Sequence, residues 1–227
     1  NNNETEAPVQ SVEADSTGAE EYYALPEKIA EAEYEYDPSL ELQGMRDAKT
    51  KSFLNEDGSI TQMVASEPIH YMSADGTWED IDLNIQAYPE GWGVTENTFT
   101  TYFAPEVAGG VMVQANEFVD PVVSGINPML VTLDATGSAP EPFITAPSPN
   151  SVDVGGNVIR YPLAEGFDLD YEVESNQVKQ NLILREVPVI PEAAEYFGIS
   201  EGIRMPAGYA LFSGETMLGE EIFKTQE

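Results

Sequence analysis

The chain has 227 residues, with 41 Asp and Glu against nine Lys and Arg, a formal net charge of −32 and no cysteine. Such a charge repels phosphate backbones and anionic lipid headgroups, so nucleic acid and membrane surfaces are excluded as partners; the missing thiols exclude disulfides, thiolate metal sites and a cysteine nucleophile. Apolar residues at 41% and aromatics at 10% suffice for a core, and the self-repulsion favours a saline or calcium-containing medium.

Residues 1–21 are polar and acidic without periodicity and are expected to form an extended arm. The opening NNNETEAPVQ has neither Met nor a charged-then-apolar leader, as a mature secreted chain whose leader has been removed would read. Over 22–46 the pattern fits helix or strand, and 27–32 is read as a short helix after Pro26. Two matched segments follow, FLNEDGSI at 53–60 and YMSADGTW at 71–78, each with an Asp-Gly pair that marks a hairpin turn. Strands over 51–55, 60–66, 68–73 and 77–85 would make a β-meander, with Ile81, Leu83 and Ile85 alternating toward a core and Asp80 and Asp82 sharing a face with Trp78.

Further strands are predicted at 97–104, 110–115, 128–135, 157–163, 167–174, 177–187 and 208–214, all short, alternating or β-branched, and punctuated by Gly, Pro or Asn. Only 192–199, EAAEYFGI, has a helical pattern. The expected fold is mainly β, an antiparallel β-sandwich with one or two short helices. Its parts would be the acidic arm 1–21, a meander and sandwich part 22–135, a Pro- and Ser-rich loop 136–151, and residues 152–227 as a second β part of the same sandwich or a second small β domain.

Carboxylates are the natural ligands of a hard cation, yet neither Asp-Gly segment places acids at the positions a helix–loop–helix calcium loop needs. The run FDLDYEVE is a better candidate. Alternation puts Phe167, Leu169, Tyr171 and Val173 on one face and Asp168, Asp170, Glu172 and Glu174 on the other, where the alternatives are a solvated face or a Ca²⁺ site on Asp168, Asp170 and Glu172. Paired carboxylates could also cleave glycosides, with Trp78 or Trp92 stacking on a sugar ring; that reading needs a groove holding two convergent carboxylates and a tryptophan. His70 is the single histidine, and no GxSxG, GxGxxG or phosphate loop is present, so no catalytic residue is assigned. Lys51 and Lys179, both in predicted strands, are the lysines to inspect for a Lys–Asn crosslink.

The positions Phe53, Asn55, Asp57, Gly58, Pro68, Tyr71, Asp75, Gly76, Trp78, Ile81, Asp82, Asn97, Phe99, Tyr161, Asp168, Leu169, Tyr171, Lys179, Ile183 and Leu184 form a spaced pattern over about 51–188. It resembles the β-rich segment near the N-termini of large prokaryotic secreted and cell-surface proteins, of the kind preceding RHS/YD-repeat or DNRLRE-type wall modules. The resemblance implies an extracellular β-sandwich scaffold with no catalytic residues to carry over. Such segments continue into further modules, so the end at Glu227 implies either a piece of a longer precursor or a module that works alone.

Together these features predict a secreted structural or interaction module of a cell-surface assembly, with other protein chains, above all copies of itself, as partners. An arm bearing Asn1, Val9, Val12, Tyr22 and Tyr23 could add a strand to a neighbour's sheet edge and build filaments or rings. A polysaccharide-acting enzyme and a calcium-dependent adhesin are the alternatives.

Overall fold

In the computed structural model, which describes residues 37–115, 120–134, 141–143, 151–185, 187–192, 194–213 and 216–217, the two Asp-Gly segments fold as matched hairpins. Strand β1 (Thr50–Leu54) pairs β2 (Ile60–Val64), and β3 (His70–Met72) pairs β4 (Trp78–Asp80). Each loop is wider than a two-residue turn. In the first, Asn55 N–H donates to Ser59 O at 2.8 Å and Gly58 N–H to Asn55 O at 2.9 Å; in the second, Ser73 N–H donates to Thr77 O at 2.9 Å and Gly76 N–H to Ser73 O at 3.0 Å. Only the glycines take positive φ, +81° at Gly58 and +85° at Gly76. The aspartates instead brace the loops: Asp57 Oδ1 accepts from Ser59 N–H and Oγ–H, and Asp75 Oδ1 from Thr77 N–H, Thr77 Oγ1–H and Ser73 Oγ–H.

The expected single meander is corrected: the hairpins are two separate sheets, joined where Ile69 and His70 N–H both donate to Ala48 O. β4 ends at Asp80, and 81–85 run on outside any ladder until Ile85 enters the main core. The arm 1–21, with Asn1, Val9 and Val12, lies outside the described residues, as do Tyr22, Tyr23, the expected helix at 27–32 and most of the 136–151 loop. Helical structure among the described residues is confined to 3₁₀ turns at Pro38–Leu40 and Gln43–Met45, the first capped by the Asp37 carboxylate.

The main body is two antiparallel sheets packed face to face. The larger has seven strands: β5 (Gln86–Tyr88), β6 (Gly91–Val94), β7 (Phe99–Phe103), β8 (Gly109–Ala115), β9 (Val122–Leu133) and β10 (Glu141–Pro142) in spatial sequence, with one more strand on the other side of β9. The smaller runs β11 (Asp153–Gly155), β12 (Val158–Ala164), β13 (Phe167–Val173) and β14 (Val178–Leu184). The seventh strand of the larger sheet is β15 (Tyr196–Arg204), where the sequence pattern predicts helix. Pairing with β9 from Tyr196↔Leu133 to Ser200↔Met129 satisfies its backbone, and Phe197 and Ile199 pack on the core around Leu130 and Phe167, so tertiary context overrides local pattern. Among the described residues of the predicted strand 208–214, β16 (Phe212–Ser213) forms, paired with β17 (Thr216–Met217).

Alternation on β13 works as the sequence implies on its inner face. Phe167, Leu169, Tyr171 and Val173 are all buried, and Leu169, Tyr171 and Val173 meet Val94, Phe99, Phe103 and Val111 of the opposing sheet, with Ile159 and Tyr161 beside them. Polar ties lock the layers at their rims. Tyr161 Oη–H donates to Ala104 O at 2.5 Å, and Asn97 Nδ2–H donates to Glu174 O at 3.0 Å while fully buried. Ile85 N–H reaches Gly156 O at 2.8 Å. No helix among the described residues is long and apolar enough to cross a membrane.

Candidate functional site

The acidic face of β13 is neither bathed in solvent nor left open. Asp168 is 2% exposed and Asp170 6%. Arg160, directly across from Asp170 on β12, grips both its oxygens, Nε to Oδ1 at 2.7 Å and Nη2 to Oδ2 at 2.7 Å. Arg185, just past β14, closes on Asp168 Oδ2 through Nε at 2.7 Å and Nη2 at 2.6 Å. Bonding to Asp170 raises the already high pKa of the Arg160 guanidinium, against the opposing effect of its burial. Glu172 stands opposite Lys179, whose ammonium bonds Glu174 and lowers that carboxyl's pKa. Each carboxylate brought together on this ladder thus sits beside a cationic or amide group, and among the described residues no group of three acidic or histidine side chains could hold a metal ion.

A second knot of charge lies behind the hairpins. Asp80 Oδ1 is 2.5 Å from Lys51 Nζ, and Asp80 Oδ2 is 3.1 Å from Arg46 Nη2, while Arg46 also clasps Glu41 at 2.7 and 2.8 Å and donates to Trp78 O. His70 is fully buried beside them. Its Nδ1 lies 2.6 Å from Asp47 O, which can only accept, so that nitrogen carries the proton and Nε2 is the bare lone pair of a neutral ring. Nε2 sits 3.5 Å from Asp80 Oδ1 and makes no hydrogen bond there. Burial lowers the imidazole pKa, against the pull of Asp47 O and with Arg46 adding to the fall. Burial works to raise the Asp80 carboxyl, but Lys51, Arg46 and His70 outweigh it and hold it below the usual range. The two lysines singled out from the sequence end on carboxylates, Lys51 on Asp80 and Lys179 on Glu174.

A different arrangement occupies the seam between the sheets. There a cleft of about 440 Å³ is walled by Phe99, Val111, Val113 and Ala115 of the larger sheet and by Val178 of the smaller one, with Tyr171, Gln180 and Glu201 among its polar groups. Backbone irregularity builds it. The register of β9 against β15 shifts twice, between Ser200 and Gly202 and between Gly202 and Arg204, and the two left-handed residues of β9, Gly125 (φ +67°) and Asn127 (φ +49°), fall in these gaps. A Cβ at Gly125 would stand 2.2 Å from Tyr171 Oη and 3.8 Å from Glu201 Oε2, so glycine is what lets the strand approach. Gln180 Nε2–H donates to Glu201 Oε2 at 2.6 Å and lies 3.3 Å from Tyr171 Oη, while burial, reinforced by the Glu201 charge, pushes the phenol pKa up. Among the described residues no cationic side chain lies within 4 Å of Glu201, whereas Arg46, Lys51, Arg160, Lys179 and Arg185 all end on other carboxylates.

Among the described residues that line the cleft, Glu201 is the one acid and neither tryptophan is present. Among the described residues, the pair of convergent carboxylates with an aromatic platform that glycoside cleavage would need is not assembled there. Sequence reasoning missed Gly125, Gln180 and Glu201. The available signal was an isolated glycine within VVSGINP, a pattern that marks a bulge or a close backbone approach. Comparison of the chain with protein-family models, with curated proteins and with solved structures finds no match.

Proposed function

We propose that this protein is a secreted structural and interaction module of a cell-surface or extracellular assembly, in which copies of the chain join by strand addition through the N-terminal arm. The observation that carries the reading is the open edge on each main sheet: among the described residues β14 pairs only with β13, and β15 only with β9. These edges run along Val178–Leu184 and Tyr196–Arg204, and an edge strand is a template on which a further strand can add. Strand addition binds through main-chain hydrogen bonds and needs no charge complementarity, which suits a chain of net charge −32 meeting itself. The resemblance to N-terminal segments of large surface proteins points the same way.

The proposal is tested by sedimentation of the full chain and of a variant lacking residues 1–25, at matched concentration in physiological salt. The full chain is expected to form oligomers that the shortened chain does not. Equal sizes for the two would remove the arm from the mechanism, and a monomeric full chain at high concentration would overturn self-assembly itself.

A further inference from the structure

We propose that the cleft between the sheets is a binding site for a small organic cation, a primary ammonium carried on an aryl or branched-alkyl body, with Glu201 as its counter-ion. The inference rests on how the chain allots its scarce positive charge, and it goes beyond the assembly reading. Buried Asp168 and Asp170 each have an arginine, and Asp80 has a lysine and an arginine. Glu201 faces a cleft of about 440 Å³ with only an amide donor, Gln180, on Oε2, and no described residue on Oε1. Glu201 is half-buried, and a cation bound there would give the carboxylate a charge-assisted partner beside apolar walls. The walls at Phe99, Val113 and Val178 fix the rest of the ligand: an apolar body deep in the cleft, with the ammonium at the carboxylate. Gly125 keeps the strand close enough for Tyr171 Oη and Glu201 to share this corner, so the site is built by the fold rather than scattered over an acidic surface.

The test is titration of the full chain with 2-phenylethylammonium, followed by calorimetry and by NMR shifts. The buffer holds 0.15 M salt, where charges beyond about 8 Å are screened. Saturable one-to-one binding is expected, with shifts concentrated on Val113, Val178 and Gln180. On the wild-type chain, uncharged 2-phenylethanol should bind about tenfold more weakly, the loss of one charge-assisted hydrogen bond, and 3-phenylpropanoate should not bind. Glu201→Gln should weaken the ammonium about tenfold, while Glu90→Gln, at an exposed carboxylate, should change it by less than about twofold. Equal affinity for the ammonium and the alcohol would overturn the proposal. So would equal effects of the two substitutions, or shifts spread over the acidic surface. None of these readouts depends on oligomer size, so this inference and the assembly reading fail separately.

Discussion

The outer face of β13 and the corner around Glu201 both present carboxylates against packed β-structure, and they are treated in opposite ways. Asp168 and Asp170 are buried and each held by an arginine, Arg160 in a two-pronged grip on Asp170; Glu201 sits at the rim of a cleft with an amide for company. In a chain with nine Lys and Arg against 41 Asp and Glu, two arginines go to the carboxylates of β13 whose unpaired burial would cost most. At Asp80 the burial is reversed: Lys51 and Arg46 are the buried partners and the carboxylate is 55% exposed.

The largest expected effect comes from breaking a pair on β13. Arg160→Ala strands Asp170 in an interior position and should lower the unfolding free energy by about 3–5 kcal/mol, read from denaturant titration. Replacing both partners by apolar residues of similar volume, Arg160→Met with Asp170→Leu, should restore most of it, because neither charge is then left alone.

A smaller effect should follow acidification at the other knot. His70 is held neutral with its pKa below the ordinary value near 6.5, so the unfolded chain takes up a proton there before the folded one does. Stability is complete above about pH 6.5 and falls as the pH drops from there toward the folded pKa. Urea midpoints taken from pH 7.5 to 5 should show this slope, and His70→Gln should flatten it. Asp80 behaves conversely to a group that gains from acid: its lowered pKa keeps its contribution intact down to about 3.8, below which the contribution is lost toward the folded pKa.

Much of the frame was legible because it rests on short-range rules. Paired Asp-Gly turns located both hairpins, and strict alternation located β13 and its inward face. What escaped depends on pairing partners. Residues 196–204 carry a helical pattern at their start and become a strand only against β9. The Arg160–Asp170 pair was hidden by one residue. A two-residue turn closing Ala164 on Phe167, continued without interruption, would set Arg160 opposite Tyr171 on the core face; the irregularity between Pro162 and Ala164 shifts the register by one and brings Arg160 to Asp170. Proline in a strand is the local trace of that bulge, but its consequence for a charge pair appears only in the folded chain. The cleft was invisible for a similar reason, since Gln180 and Glu201 belong to different sheets and meet only at their edges.

Double-mutant cycles on the two sites test the central contrast most directly, with stabilities of Arg160→Ala, Asp170→Ala and their double variant set beside those of Gln180→Ala, Glu201→Ala and theirs. The expected coupling is about 2–3 kcal/mol for Arg160 with Asp170 and below about 1 kcal/mol for Gln180 with Glu201. Couplings of equal size would mean that Glu201 is as fully satisfied within the chain as Asp170 is, and would contradict the claim that its charge is left for a partner from outside.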